Sequence, residues 1–534
     1  MVARHGFGLY VVSEVSRDDQ AEIFDDNGPL SPLSATYEFD TSTVRFNDEL
    51  LRADSPEAEG LRLAGAPRIR LHEYQWRFGR AEKFELPDRA ALAALGEAMT
   101  ANKQGDQRES EIPVGYTYLG QFIAHDLTFA SNDTSKPKNI RTPTLDLDSV
   151  YDAPAIKDPV MACPANAGPL GLGCTTAGHA EDLPRAADGC PVIADLRNDD
   201  NLPLAQTQVA LMKFHNAVAT VVPEGDVKKT VRQHFQSVVL HDYLPRVVEQ
   251  ATYNDVMSHG RSIVYPNGLQ GKKFKLPIEF AAAAFRFGHS MIRHNYPGWN
   301  KAGSGSLENF WINTFNSAAE PIKQLNDQWV NQWDRLLSFE DTPWESQQTE
   351  PPIMASAIDT HLAFWLGQIR EEALPPPVTT FSHVSNNLAA RTLLRGHTLR
   401  LKSAESIIGA INHELPNTST PIPKLEYYDL LDGEPACLKE SYQRRFGWDY
   451  AIRQRTPLWY YILKEAEKLG NAGRHLGPLG SRLVMETLHA AIQFSPDSII
   501  DDSQHVNWTP HPLLKNPASG RFTFPDLIVF TATH

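Results

Sequence analysis

A mainly α-helical protein is the fold class this sequence predicts, and three observations carry that expectation. Apolar residues recur at helical spacing over about 203–220, 228–255, 278–293, 320–338, 354–371, 386–395, 403–412 and 478–493, while strand signals are few and short. Proline, at 38 of 534 residues, is frequent enough to imply long irregular connectors between those helices. No repeat of solenoid length is visible. The expected organisation is a polar, mixed-charge N-terminal arm over residues 1–110, packed on one large helical body over 111–534.

Composition narrows the function. Lys and Arg number 50 against 65 Asp and Glu, a formal charge of -15 with no basic run. Phosphate contacts need clustered cations, so no nucleic-acid partner is expected. No uninterrupted apolar stretch reaches the roughly 18 residues of a membrane span. The N-terminal residues lack an apolar block and a small-residue cleavage site. The expected location is therefore the cytoplasm, or outside the cell by a route without a classical signal peptide. Cys163, Cys174 and Cys190 are too widely spaced for a paired-thiolate zinc site, and Cys437 is remote. They are expected as free thiols, with one incidental disulfide as the alternative. An enzyme or small-molecule binder is what remains.

The most informative segment is Tyr118-Leu119-Gly120-Gln121-Phe122-Ile123-Ala124-His125-Asp126-Leu127-Thr128-Phe129. As a helix it puts Leu119, Phe122, Ile123, Leu127 and Phe129 on one arc, and Gln121 and His125 on another beside small Gly120, Ala124 and Thr128. That second face leaves room for a flat group. Asp126 projects from the apolar arc, where a carboxylate needs a cation or several donors. In the segment Arg141–Tyr151, Thr142, Thr144, Asp146 and Asp148 alternate, so in an extended loop their oxygens would point one way. Hard oxygens are what Ca²⁺ takes, and an acidic turn is the bland alternative.

Two more segments matter. Asp195-Leu196-Arg197-Asn198-Asp199-Asp200-Asn201 precedes a helix for which Asn201 is a natural cap and Pro203 a first-turn residue. His215 on that helix reads as a core histidine. In Phe285-Arg286-Phe287-Gly288-His289-Ser290, His289 shares an apolar stripe with Ala282, Phe285, Arg286 and Ile292. It is either a satisfied core residue or a metal ligand, and neutral imidazole is a common axial ligand of haem iron.

In this order the segments resemble the animal-type haem peroxidases of the peroxidase–cyclooxygenase superfamily, in particular their bacterial members, from about residue 112 to 530. Leu-Leu-Arg-Gly at 393–396, Gly-Pro-Leu-Gly-Ser-Arg at 477–482 and the closing Phe-Pro-Asp-Leu add to the match. The resemblance implies a peroxidase that reduces hydrogen peroxide through a ferryl intermediate. It would oxidise small organic donors or halides, with a part in the response to oxidative stress. It makes His125 the distal histidine with Gln121 beside it, Arg197 the distal arginine and His289 the iron ligand. Arg286 and Arg395 fall where the family binds haem propionates, and Asp126, Thr142, Thr144, Asp146 and Asp148 on its calcium ligands. The cofactors implied are haem b and Ca²⁺. Ala124 stands at one of the family's two haem-ester positions and Asp200 at the other, so at most one ester, through Asp200, is expected. Asn201 replaces the family's methionine. Thr392 stands for the asparagine that accepts a bond from the proximal imidazole, a role its hydroxyl could still fill. The rival readings are a fatty-acid dioxygenase of the same superfamily and a non-catalytic haem-binding protein. Dioxygenases carry a radical-forming tyrosine three residues before the proximal histidine, where this chain has Arg286.

Overall fold

The computed structural model describes residues 72–534, apart from 84–85, 88, 102–107, 131–136, 152–162, 165–167, 301–302, 316, 318–321, 370–385, 417–418, 433, 435–454 and 517–519. It also gives the backbone of six short strands before residue 70. Helix takes 46% of the chain and strand 8%, which makes the fold mainly α.

Two long helices form the centre because almost every face of them is apolar or internally satisfied. One is α3, Leu202–Val221, started as expected by the Asn201 carboxamide accepting from Leu204 N, with Pro203 in its first turn. The other is Pro478–Gln493, here α10, also opened by proline and buried along nearly its whole length. Against α3 lies α2, Gly115–Leu127. Leu119, Phe122, Ile123 and Leu127 are fully buried, as their shared arc requires. Phe122 meets Phe235 of α4, Val227–Val238, edge-on at 5.8 Å. At Gly120 a Cβ would sit 2.5 Å from the Tyr243 hydroxyl oxygen, so only glycine lets those elements approach. The end of α2 is fixed by Asn139, which donates to Leu127 O at 2.7 Å and accepts from Phe129 N at 2.7 Å.

Within 1–110, Arg89–Met99 forms a helix, α1, packed on α7, Leu388–Thr398. They cross at Gly96, where a side chain would overlap the Ala390 backbone. Further helices are α5 (Gln250–His259), α6 (Ile278–Ala282), α8 (Ala404–Glu414), α9 (Leu458–Leu469) and α11 (Phe524–Thr533), with shorter helical turns between them.

Several expectations need correcting. The helix expected over 278–293 ends at Ala282 and continues as a 3₁₀ turn over Ala284–His289. Arg286 Nε takes the Ala281 carbonyl at 3.1 Å, the group a continuing α-helix would offer to residue 285. Over 320–338 only two short turns form, Asp327–Trp329 and Trp333–Leu336, the first capped by the Asn326 side chain. Over 354–371, Met354–Ser356 instead pairs antiparallel with Glu109–Pro113, and only Phe364–Gly367 turns helically. Buried extended segments carry apolar runs whose period alone does not separate strand from helix. Cys163 and Cys174 are not free thiols: a folded-back loop brings their Cα atoms within 4.7 Å, and they form a disulfide. Cys190 is free, and Cys437 lies outside the described residues.

Candidate active site

The helix α2 delivers His125 to a buried position. Its Nδ1 lies 2.8 Å from Asn198 Oδ1, and Asn198 Nδ2 in turn donates to Gln208 Oε1 at 2.8 Å. Asn198 thus presents its carbonyl to the ring, Nδ1 carries the proton, and Nε2 is left with its lone pair. Burial, reinforced by the nearby Arg197 charge, lowers the His125 pKa to about 3, so the ring is neutral at physiological pH. Gln121, one turn earlier, accepts from Asn201 Nδ2 at 3.1 Å.

Arg197 sits on a 3₁₀ turn, Leu196–Asp199, whose first backbone N–H groups are met by Asp195. Its guanidinium is held by Asp195 through Nε at 2.9 Å and Nη2 at 2.6 Å, and Nη2 also reaches His125 O at 3.1 Å. The Phe129 ring lies against it, 4.2 Å from Cζ. Asp195 takes a second cation, Arg141 Nε, at 3.0 Å. Burial works against ionising Asp195, but Arg197 and Arg141 outweigh it and hold its carboxyl far below the usual range. Asp199 anchors the turn from behind by pairing with Arg185 at 2.9 Å and accepting from Phe315 N. Asp195, Arg141, Asn198 and Gln208 had no assigned role in the sequence reading. Their partners lie 54, 73 and 10 residues away, beyond any local pattern except the last.

On the 3₁₀ turn after α6, His289 is half-buried, with Trp459 edge-on at 5.9 Å and Trp459 Nε1 donating to Arg286 O. Burial, then the Arg286 charge, lowers the His289 pKa to about 3. Its Nδ1 is buried and makes no hydrogen bond. The bond expected from Thr392 is not made. That hydroxyl donates instead to Leu388 O, one turn back on its own helix, at 2.8 Å, a common habit of threonine in helices.

Arg286 is half-buried. Desolvation, followed by repulsion from Arg395, pulls its pKa down to about 10, and Arg391 and Arg197 add to the effect. Tyr74 is the phenol in this group and feels Arg395, Arg197 and Arg286. Arg197, the expected distal arginine, and both expected propionate arginines therefore act electrostatically on one tyrosine from 1–110. Among the described residues, a Cβ built on Gly288, next to His289, would meet nothing within 4 Å. A half-buried imidazole beside that glycine and a guanidinium cluster calling for anions suit a planar dicarboxylate such as haem. Asp200 is half-buried at the start of α3, its carbonyl accepting from Ser317 Oγ at 2.6 Å.

The loop after Asn139 does not run extended, so its four side chains do not share one direction. It bends, with Leu147 at φ 61°, and folds onto itself. Thr144 Oγ1 donates to Asp146, Asp148 N to Asp146, and Thr142 N to Asp148. Asp126, fully buried as read, accepts from Leu147 N, Ser149 N and Ser149 Oγ. Burial, with Asp146 nearby, raises its pKa to about 7. Among the described residues, no group of three or more His, Cys, Asp and Glu side chains is arranged as a metal cage. His215 is the core histidine expected, 3.0 Å from the Tyr151 hydroxyl.

Residues 139–340 match the family model described as animal haem peroxidase. The match covers less than half of the chain and makes that stretch similar to the animal haem peroxidases. That match includes Arg197 and His289; His125, Arg395 and Thr392 lie outside it. The fold is similar to that of peroxidase A from Dictyostelium discoideum, with a TM-score of 0.52 at 12% identity over 87% of this chain and 93% of that one. It is also similar to a fatty acid alpha-dioxygenase from Oryza sativa, at 0.51 and 13% over 76% and 73%. At such identities the likeness concerns the fold. No curated protein sequence matches the chain.

The ion cluster generates a prediction. Asp195→Asn keeps the shape and removes the charge between two buried guanidinium groups, so the cofactor-free chain should lose about 3–5 kcal/mol of stability at neutral pH. Urea denaturation measures it, and a loss below about 1 kcal/mol, the range of a surface ion pair, would mean Asp195 does not hold the turn.

Proposed function

We propose that this chain is a haem b peroxidase that reduces hydrogen peroxide and oxidises small organic donors. The observation that carries the reading is the neutral His125, its Nδ1 proton committed to Asn198, beside an arginine clamped by Asp195. Arg286, standing where dioxygenases of the superfamily carry tyrosine, supports the peroxidase reading over the dioxygenase one.

In this reading His289 would ligate the iron and Arg286 and Arg395 would hold the propionates, and the haem, when bound, would supply the two-electron redox chemistry between peroxide and donor. His125 Nε2 takes a proton from the peroxide hydroxyl and returns it to the departing oxygen, base then acid. Arg197 stabilises the negative charge on that oxygen from a fixed position, and Asp195 prevents it from swinging away. Asp200 is the one residue at the two ester positions able to bond the haem covalently, since Ala124 cannot. With the His289 Nδ1 unsupported by Thr392, the ligand would be less basic than a bonded imidazole and would donate less electron density to the iron. The disulfide favours the exported alternative, since such bonds persist in oxidising compartments.

Ca²⁺ at Asp126 and the loop Thr142, Thr144, Asp146 and Asp148 belongs to the same proposal. The mutual repulsion of buried Asp126 and Asp146 is what a hard cation would relieve. It would brace the helical turn that aims His125.

Two predictions follow from these roles. The first concerns the rate at which the haem absorption changes on mixing with peroxide, followed by stopped flow. A base with a lowered pKa is active above that value and lost only as pH falls through about 3, so the rate should stay flat from pH 7 to pH 5. A histidine at the ordinary value of about 6.5 would lose roughly thirtyfold over that range. His125→Ala should cost about 10²–10⁴-fold. A steep acid fall, or an unimpaired alanine variant, contradicts the role. The second concerns calcium. EGTA should lower the thermal midpoint, added Ca²⁺ but not Mg²⁺ should restore it, and Asp126→Asn should abolish the difference. A midpoint indifferent to EGTA removes calcium from the account.

A further inference from the structure

Residues 72–83 belong to the stretch expected as an arm, yet they are strapped across two elements of the candidate site. Gln75 N donates to Leu276 O at 3.0 Å, and Gln75 O accepts from Ile278 N at 2.8 Å. The next two backbone N–H groups, of Arg77 and Phe78, both donate to the buried Glu279 carboxylate, at 3.1 and 3.0 Å. On the other side Trp76 Nε1 donates to Leu399 O at 3.0 Å, and Ala81 N to Arg400 O at 2.8 Å. Leu276–Glu279 open the run that leads to Arg286, and Leu399 and Arg400 directly follow the helix that carries Arg395. The strap thus joins the two elements that bear the expected propionate arginines.

Tyr74 starts this strap. It is 5% exposed, and its hydroxyl is buried with no hydrogen-bond partner among the described residues. An unsatisfied buried hydroxyl costs about 1–3 kcal/mol, so its retention calls for an explanation. The charges that act on it most are the guanidinium groups of Arg395, Arg197 and Arg286. A tyrosine hydroxyl is a donor that cannot repel an anion, and an anion placed here would meet both the phenol and Arg286.

We propose that Tyr74 is a further cofactor-binding residue, donating its phenolic O–H to a carboxylate of the porphyrin, so that segment 72–83 forms one wall of the carboxylate seat. This rests on the haem reading above, and the test separates the two. The full chain, freed of cofactor, and its Tyr74→Phe variant are titrated with hemin, with metal-free protoporphyrin IX and with hemin dimethyl ester. A hydrogen bond to a charged acceptor predicts that the variant binds hemin and protoporphyrin about tenfold or more weakly, with unchanged affinity for the ester. Equal affinity of parent and variant for hemin overturns the proposal. So does an equal loss for the ester, which would mark a general disturbance of the pocket. A parent that binds protoporphyrin but not hemin, with the variant weaker, supports Tyr74 and overturns the peroxidase reading. A parent that takes up none of the three overturns both.

Discussion

A single carboxylate between two guanidinium groups is the constraint on which the rest of the distal side depends. Asp195 is 1% exposed and bonds both Arg197 and Arg141. Taking three charges out of water costs several kcal/mol per ion, and only short, multiple contacts offset it. Through Arg197 the cluster reaches the carbonyl of His125, and through Arg141 it reaches Asp148, 3.7 Å away. His125, Arg197 and the acidic loop are therefore not three independent placements. Moving any one strains a buried ion cluster that fixes the other two.

A contrasting electrostatic arrangement lies around Tyr74. There desolvation, with repulsion from Arg395, Arg391 and Arg197 added to it, pulls the half-buried Arg286 guanidinium down to about 10. Asp195 neutralises Arg197 and Arg141 on one side of the site, while on the other three guanidinium groups act on one phenol. In the function proposed above, Arg197, which belongs to both regions, would couple the seating of a cofactor's anionic edge to the peroxide side.

What could be read from the chain followed contact distance along it. Gln121 and His125, the Asn201 cap, the buried Asp126 and the core His215 are local patterns, and helices α3, α7, α8 and α10 lie within a few residues of where their apolar periods put them. The links that fix the site's geometry join residues far apart in sequence, such as Asn198 to His125 and Arg141 to Asp195, and no spacing rule exposes them. Tyr74 was hidden because its surroundings in sequence look like a solvated arm. Thr392 shows the reverse error. The residue type could accept the His289 bond, but a helical threonine has a nearer carbonyl one turn back, and that partner won.

The central claim is that a neutral, pre-oriented histidine and a clamped arginine serve a haem reacting with peroxide. The most direct measurement is the absorption spectrum of the hemin-loaded chain mixed with equimolar peroxide, then with a phenol. The account predicts a rapid spectral change, a return to the starting spectrum when phenol is added, and phenol oxidised in proportion to peroxide consumed. A spectrum that does not change, or that bleaches and never returns while the phenol stays intact, would contradict it.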